Sequence, residues 1–168
     1  MKALAAILVE NNNPLVLEEI EIPKLTFGQV LVKVLCSGIC GSQLGEIDGV
    51  KGKDDYLPHL LGHEGTGIVI DCGEGVTTVK QDSKVVLHWR VGDGIQSPPP
   101  IYKSKSLGVI NAGWVTTFNE YAVVSENRIT SIPEDFDSEI GALMGCAVTT
   151  GLGVINNNAK VKIGESVV

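Results

Sequence analysis

Short runs of β-branched and aliphatic residues, separated by Gly, Pro and Asn, dominate the pattern of hydrophobic and polar positions along the chain. Runs of this length between turn residues are typical of strands, and their recurrence favours a sandwich or barrel over a helical bundle. We predict strands over residues 4–9, 15–22, 30–37, 67–72, 84–89, 118–124 and 129–132. The pattern therefore predicts a mainly β fold.

Helical signals come late in the chain. Pro133 ends the last predicted strand, and Asp135 and Asp137 offer caps to a helix over residues 138–144, with a second helix expected over about 149–156. Residues 88–117 contain three consecutive prolines, several glycines and few runs that could be a strand. We expect a long excursion there, which forms a pocket wall or a partner surface or simply covers the domain.

Length and composition narrow the classes of function. A chain of 168 residues makes roughly one domain. A net charge of -7 and an aromatic content of 5% argue against a nucleic-acid partner, which needs basic patches and stacking platforms. The N-terminus lacks a secretion signal and no run is long enough for a membrane span, so we expect a cytoplasmic protein without a membrane partner. Its four cysteines are then reduced thiols that pack or bind metal.

Three residues distant in sequence could form a catalytic zinc site. Cys40 and Cys146 are flanked by glycines that let the backbone bend, and His63 stands between Gly62 and Glu64. Two thiolates and one imidazole suit Zn²⁺, and a set of three protein ligands leaves a position open for water or substrate. The alternative for each cysteine is a small core residue, and for His63 a surface position.

Other candidate ligands are weaker. His59 lies four residues before His63, but Pro58 makes a helix improbable, so we assign His59 to structure or solvent. His88 follows a strand and is expected to be an ordinary hydrogen-bonded side chain rather than a pocket residue. Two further cysteines lie in apolar strand contexts and are interpreted as buried thiols, Cys36 and Cys72.

Cys40, the tripeptide Gly62-His63-Glu64 and the stretch from Gly145-Cys146 to Thr149-Thr150-Gly151 resemble the zinc-dependent alcohol dehydrogenases of the medium-chain dehydrogenase/reductase superfamily. The resemblance covers nearly the whole chain. It implies a GroES-like, partly open β-barrel with a few short helices over residues 1–150. Residues 151–168 would be a helix and the start of the connection to a Rossmann nucleotide-binding domain that this chain lacks, since no Gly-x-Gly-x-x-Gly turn is present.

The resemblance also implies roles for individual residues. One catalytic zinc would polarise the oxygen of a small alcohol or carbonyl substrate, a polyol or sugar among the candidates, for hydride transfer to or from NAD or NADP bound by the missing domain. Ser42 would hydrogen-bond the substrate oxygen and begin proton removal, Glu64 would lie behind the metal, and Thr150 would contact the nicotinamide. The full-length enzyme would be a homo-oligomer. The implied metal ligands are Cys40, His63 and Cys146.

Three departures from the family pattern matter. Gln43 stands where relatives commonly have Asp, which would leave the zinc somewhat more electrophilic. Gly45 replaces a frequent relay His, so the route of the proton is open. No cysteine occurs between Cys72 and Cys146, which predicts one zinc and no structural zinc.

Two alternatives stay open from the sequence. One is a non-enzymatic GroES-like binding or chaperonin-type module, and the other is a zinc-free reductase of the same superfamily. If the chain is the fragment that the resemblance implies, it should not turn over substrate alone. Substrate identity and the choice between NAD and NADP lie beyond these residues.

Overall fold

The computed structural model describes residues 1–167, which form ten short strands and three α-helices. The strands are β1 (Lys2–Leu8), β2 (Val16–Glu21), β3 (Gln29–Ser37), β4 (His59–Leu60), β5 (Glu64–Cys72), β6 (Lys84–His88), β7 (Tyr102–Ser104), β8 (Gly108–Ile110), β9 (Tyr121–Ser125) and β10 (Ile129–Ser131). The helices are α1 (Gly41–Ile47), α2 (Ser138–Met144) and α3 (Ala147–Gly153), and α3 continues into a π-helix over Val154–Ala159.

The strands form two five-stranded sheets, with the orders β4-β1-β2-β7-β8 and β10-β6-β5-β3-β9. Neighbouring strands in both sheets are antiparallel. Backbone hydrogen bonds from Ala6 N to Phe118 O (2.9 Å) and from Glu120 N to Leu4 O (3.0 Å) join β1 to the segment before β9. The two sheets thus wrap into a partly open barrel, which confirms the predicted mainly β fold, and residues 1–167 contain no Rossmann-type parallel sheet.

Alternating residues of the long strands fill the barrel. Ala3, Ala5 and Ile7 of β1 are buried, as are Val30 and Val32 of β3, while the residues between them are more exposed. A period of two places one face of each strand against the core, and each buried Val or Ile stabilises the fold by roughly 1.5–3 kcal/mol. The runs of β-branched and aliphatic residues along these strands, rather than the alternation in burial, are the reason that they could be predicted.

The excursion at residues 88–117 contains strands that we did not predict. β7 and β8 pair as a hairpin at the edge of the first sheet. Tyr102 of β7 is fully buried, and its hydroxyl oxygen accepts a hydrogen bond from Val123 N at 2.8 Å. Strands of three residues are too short to show a period, so the hairpin depends on this distant contact instead. The short elements α1 and β4 were missed as well.

The C-terminal helices agree with the prediction in part. α2 has the predicted bounds, and the Asp137 carboxylate caps it by accepting N–H groups of Glu139 and Ile140, both at 2.9 Å. α3 begins at Ala147, two residues before the predicted helix. The π-helix that follows ends at Ala159, beyond the predicted end of that helix. The predicted domain boundary between residues 150 and 151 falls inside α3 and stays a prediction.

Within residues 1–167, no single helix has the length and apolar character that a bilayer span requires. The segments Ser138–Met144 and Ala147–Ala159 reach that length only when taken together, and they meet at an angle of 47°.

A buried carboxylate ties the loops at one end of the barrel together. Glu126 lies in a 3-10 turn over Glu126–Arg128 and is fully buried. Its carboxylate accepts N–H groups of Thr77 (2.6 Å), Thr78 (2.8 Å) and Ile95 (2.7 Å) and the hydroxyl of Thr78 (3.0 Å). Burial alone would raise the pKa of Glu126, but these hydrogen bonds outweigh it and the pKa is lowered.

The same turn fixes the first part of the excursion. The Arg128 guanidinium donates to Trp89 O at 2.5 Å and lies over the Trp114 ring, 5.2 Å from its centroid. Ser125 Oγ accepts the N–H of Ser97 at 2.8 Å. The backbone around residues 89–97 is therefore anchored by polar groups.

We predict that Glu126→Gln destabilises the domain by about 2–3 kcal/mol at pH 7, because a carboxylate that accepts several hydrogen bonds is replaced by a single neutral acceptor. Since the folded-state pKa of Glu126 is depressed, its contribution is present above the unfolded pKa and is lost as pH falls through the folded pKa. The gap between wild type and variant should therefore shrink below about pH 4. Urea unfolding followed by circular dichroism measures both quantities.

Glu74→Gln, at an exposed glutamate, is the matched control and should change stability by less than about 0.5 kcal/mol. An equal effect of the two substitutions at pH 7 would contradict the structural role of Glu126.

Candidate metal centre

Three separate segments of the chain bring the predicted ligands together. Cys40 follows β3 and directly precedes α1, His63 lies between β4 and β5, and Cys146 occupies the junction of α2 and α3. Because α2 packs against β5, the junction after it lies beside the start of that strand. The barrel thus positions all three residues at one end of β5.

Two glycines allow the close approach of these segments. Gly62 has φ +88°, and a Cβ there would lie 2.2 Å from Thr117 Oγ1. A Cβ on Gly145 would lie 2.3 Å from Leu87 O and 2.9 Å from the Cα of Glu64. Contacts this short do not occur, so any side chain at either position would push a ligand-bearing segment away.

The ligand atoms of Cys40, His63 and Cys146 all lie within 4.8 Å of one another. The two Sγ atoms are 3.8 Å apart, and both cysteines are free thiols. Nε2 of His63 is buried and has no hydrogen-bond partner in the described part of the chain. An unpaired buried nitrogen is costly, and it is satisfied if it coordinates an ion. This donor set of two sulfurs and one imidazole fits Zn²⁺.

Gln43 links two of these residues. Its side-chain amide contacts His63 Nδ1, and its Oε1 accepts the N–H of Cys40 at 3.3 Å. Gln43 is buried in the first turn of α1, so its side chain has little freedom to leave the ring. The amide therefore orients the His63 ring in the manner that second-layer groups do at metal sites.

The amide of Gln43 can serve His63 in two orientations. Its nitrogen can donate to Nδ1, or after a half-turn its oxygen can accept a proton from Nδ1. Only the second arrangement leaves the lone pair of Nε2 free for a metal ion, because a neutral imidazole carries one proton. Metal binding at Nε2 therefore requires the amide oxygen of Gln43 to face the ring, and in that orientation the oxygen no longer accepts the N–H of Cys40.

The surroundings favour the ligating forms of two donors. Hydrogen bonds from the Ser42 hydroxyl and backbone N–H lower the pKa of Cys40. Burial lowers the pKa of His63, although the charges of Glu64 and Glu46 oppose it, and a neutral ring is the form that binds metal. Burial raises the pKa of Cys146, so that thiol gains most from a cation beside it.

The other predicted site residues occupy different surroundings. Ser42 lies in the wall of the cavity next to Cys40. Glu64 is 2% exposed, and its Oε2 accepts the N–H of Ala147 at 3.1 Å, so it supports the start of α3. Thr150 is exposed one turn further along α3, with its Oγ1 3.8 Å from the Sγ of Cys146.

A cavity of about 480 Å³ opens beside the three ligand atoms. Besides the ligands it is lined by Ser42, Gln43, Glu46, Lys51, His59, Leu60, Leu61, Gly62, Trp89, Gly113 and Val115. The sequence reasoning did not assign Lys51 and Trp89 to the site. Glu46 lies four residues after Ser42, about one helical turn, but this signal depends on α1, which the sequence did not predict.

The remaining histidines have ordinary partners. His59 Nε2 lies 2.9 Å from Asp54 Oδ2, although its ring also lines the cavity. His88 contacts Arg90 O at 2.8 Å and Thr130 Oγ1 at 2.9 Å, as expected for a hydrogen-bonded side chain. Cys36 and Cys72, the two cysteines outside the donor group, are half-buried, whereas the sequence predicted that they are buried.

Comparison with known proteins decides the family. Residues 26–134, more than half of the chain, match the family described as the alcohol dehydrogenase GroES-like domain. The chain belongs to this family. The sequence resemblance implied a barrel of this kind, and the family match confirms the resemblance.

The GroES-like chain is 33% identical to an S-(hydroxymethyl)glutathione dehydrogenase of Synechocystis sp. over 99% of its own length and 52% of that protein. It is 31% identical to a protein of the same name from Escherichia coli, again over 99% of this chain and 52% of the relative. The chain thus spans about half the length of these curated relatives.

Solved structures share the fold. An alcohol dehydrogenase zinc-binding domain protein from Burkholderia ambifaria superimposes with a TM-score of 0.85 at 24% identity, covering 99% of this chain and 51% of that one. Benzyl alcohol dehydrogenase from Acinetobacter calcoaceticus gives a TM-score of 0.79 at 24% identity, over 96% and 49% of the two chains. At this level of identity the likeness establishes the barrel alone.

We predict that the isolated domain binds zinc and that Cys40→Ser, His63→Ala or Cys146→Ser each weakens binding by more than about 100-fold. Loss of a ligand should exceed the 10–100-fold cost that is typical of removing a supporting hydrogen bond. Competition with a chromophoric chelator measures the affinity without any need for catalysis. Cys72→Ser, which alters a thiol outside the donor group, should bind zinc as the wild type does.

Gln43→Ala should lower zinc affinity by about 10–100-fold, because the His63 ring loses the group that orients it. Gln43→Glu should retain or raise the affinity, since a carboxylate accepts the Nδ1 proton in the required direction. Gln81→Ala, in a surface turn, is the matched control. Unchanged affinity in Gln43→Ala, measured by the same competition, would show that the amide does not support the ligand.

Proposed function

We propose that this chain is the catalytic domain of a zinc-dependent alcohol dehydrogenase that interconverts a small alcohol and its carbonyl compound with NAD or NADP. The observation that carries the proposal is the convergence of Cys40, His63 and Cys146 on one point beside a cavity. A barrel alone would fit a binding or chaperonin-type module. Neither that module nor a zinc-free reductase requires two thiols and an oriented imidazole beside a cavity.

One bound zinc ion would be held by Cys40, His63 and Cys146, and it would supply a Lewis acid that polarises the substrate oxygen. The residues of the chain account for the other requirements. Gln43 keeps the His63 ring in place, and Glu64 holds Ala147 so that Cys146 stays at the start of α3. Such support matters because catalytic groups act only within a narrow range of positions.

Ser42 is the residue placed to handle the substrate proton. It lies in the cavity wall beside Cys40, and its oxygen keeps lone pairs that can accept a hydrogen bond from a substrate hydroxyl. The Ser42 oxygen takes the proton from the substrate while its own O–H proton, which it otherwise gives to the sulfur of Cys40, passes to water. Gly45 provides no side chain for the next step, so water in the open cavity is the simplest acceptor.

The cofactor would be bound by a domain outside the described residues. Thr150 is exposed on α3 close to the sulfur of Cys146, which suits a contact with a nicotinamide ring brought against the site. Cytoplasmic location and a homo-oligomeric assembly of the full-length protein belong to the same proposal.

The test uses the full-length protein that contains residues 1–168, assayed with alcohols and either nicotinamide cofactor. We expect turnover that is lost on zinc removal and restored by zinc, and none with the isolated chain. Ser42→Ala should lower kcat by about 100-fold or more, because it removes the group that accepts the proton, while zinc content stays unchanged.

Ser42→Thr, which retains a hydroxyl, should keep most of the activity. The proposal is wrong if the zinc-loaded full-length protein oxidises no alcohol and reduces no carbonyl compound, or if steady turnover continues after the metal is removed.

A further inference from the structure

The cavity wall carries a charged pair that the proposed chemistry does not use. We propose that Glu46 and Lys51 select a neutral alcohol with several hydroxyl groups, such as a polyol or an open-chain sugar alcohol. This inference rests on the function proposed above and adds the class of substrate and the residues that recognise it.

Glu46 is placed for this role by α1. Ser42 and Glu46 are one helical turn apart on the same face of the helix, and both line the cavity. Four residues advance the helix by about 6 Å, so Glu46 lies within reach of a substrate chain of a few carbons whose oxygen is held at Ser42. A substrate that reacts beside Ser42 therefore carries its neighbouring carbons along Glu46.

The two charged groups retain free hydrogen-bonding capacity. The only ion-pair contact of Glu46 in the described chain is with Lys51, at 4.0 Å between Oε1 and Nζ, which is too long for a hydrogen bond. The Glu46 side chain is 34% exposed, and that of Lys51 is 73% exposed. A carboxylate accepts and an ammonium donates, so together they match hydroxyl groups, which do both.

The sign of the charges argues for a neutral ligand. Glu46 and Lys51 have opposite charges, so their fields largely cancel a few ångströms away. The other ionisable pair at this wall is already satisfied, because His59 and Asp54 bond to each other at 2.9 Å. A purely anionic or cationic substrate would meet one repelling group, whereas a neutral polyhydroxylated chain satisfies both.

Trp89 adds an apolar surface to the same cavity. Its side chain is about half exposed, and its backbone oxygen is fixed by Arg128. Polyols carry C–H groups as well as hydroxyl groups, and the C–H groups can pack against the face of an aromatic ring. An acceptor, a donor and an aromatic face thus line one cavity.

The test compares xylitol with 1-pentanol, which have the same number of carbons and both end in a primary alcohol. With the zinc-loaded full-length protein, we expect a higher kcat/KM for xylitol. Glu46→Gln should lower that value about 10-fold, Glu46→Leu more, and Lys51→Met about 5–10-fold. The kcat/KM for 1-pentanol should change by less than about twofold in each variant, with zinc content unchanged.

Lys105→Met, at an exposed lysine that lines no part of this cavity, is the matched control and should leave both substrates unaffected. Equal losses with both alcohols would overturn the inference, because Glu46 would then act on a step common to both. A wild-type preference for 1-pentanol would overturn it too, while leaving the proposed function intact. Absence of turnover with every alcohol would overturn both.

Discussion

The hydrogen bond from Ala147 N to the buried carboxylate of Glu64 connects the parts of the candidate metal centre. Glu64 is the first residue of β5 and directly follows His63. Its carbonyl oxygen accepts the N–H of Gly38 at 3.1 Å, two residues before Cys40. Its side chain holds the segment that follows Cys146. A carboxylate taken out of water must be bonded to be tolerated, so this residue draws the surrounding backbone inward. The segments that carry all three donors meet at this residue.

The candidate metal ligands were easier to predict from the sequence than the other residues that line the cavity. Cys40, His63 and Cys146 could be found because flanking glycines and donor type are local features. The longer strands could be found because they are runs of β-branched and aliphatic residues between turn residues. Lys51 and Trp89 could not, since their place in the cavity depends on how distant loops pack. The β7–β8 hairpin was missed for a similar reason, because Tyr102 is held by a contact with Val123.

The turn over Glu126–Arg128 holds together the loops at one end of the barrel and a wall of the cavity. Glu126 gathers the loops at residues 77–78 and 95, and Arg128 fixes the backbone of Trp89. Polar groups buried at such a junction are sensitive to change, because each lost partner leaves another unsatisfied. A substitution in this turn would therefore disturb a wall of the site without touching any metal ligand.

The packing of Gln43 beside the His63 ring has a consequence for how an ion would bind and leave. When the donor atoms already lie close together, little of the binding free energy is lost in ordering the chain. In zinc fingers, by contrast, metal uptake and folding are a single event. Here the strands form the core by themselves, so we expect a zinc ion held by the three donors to bind and leave without unfolding the domain.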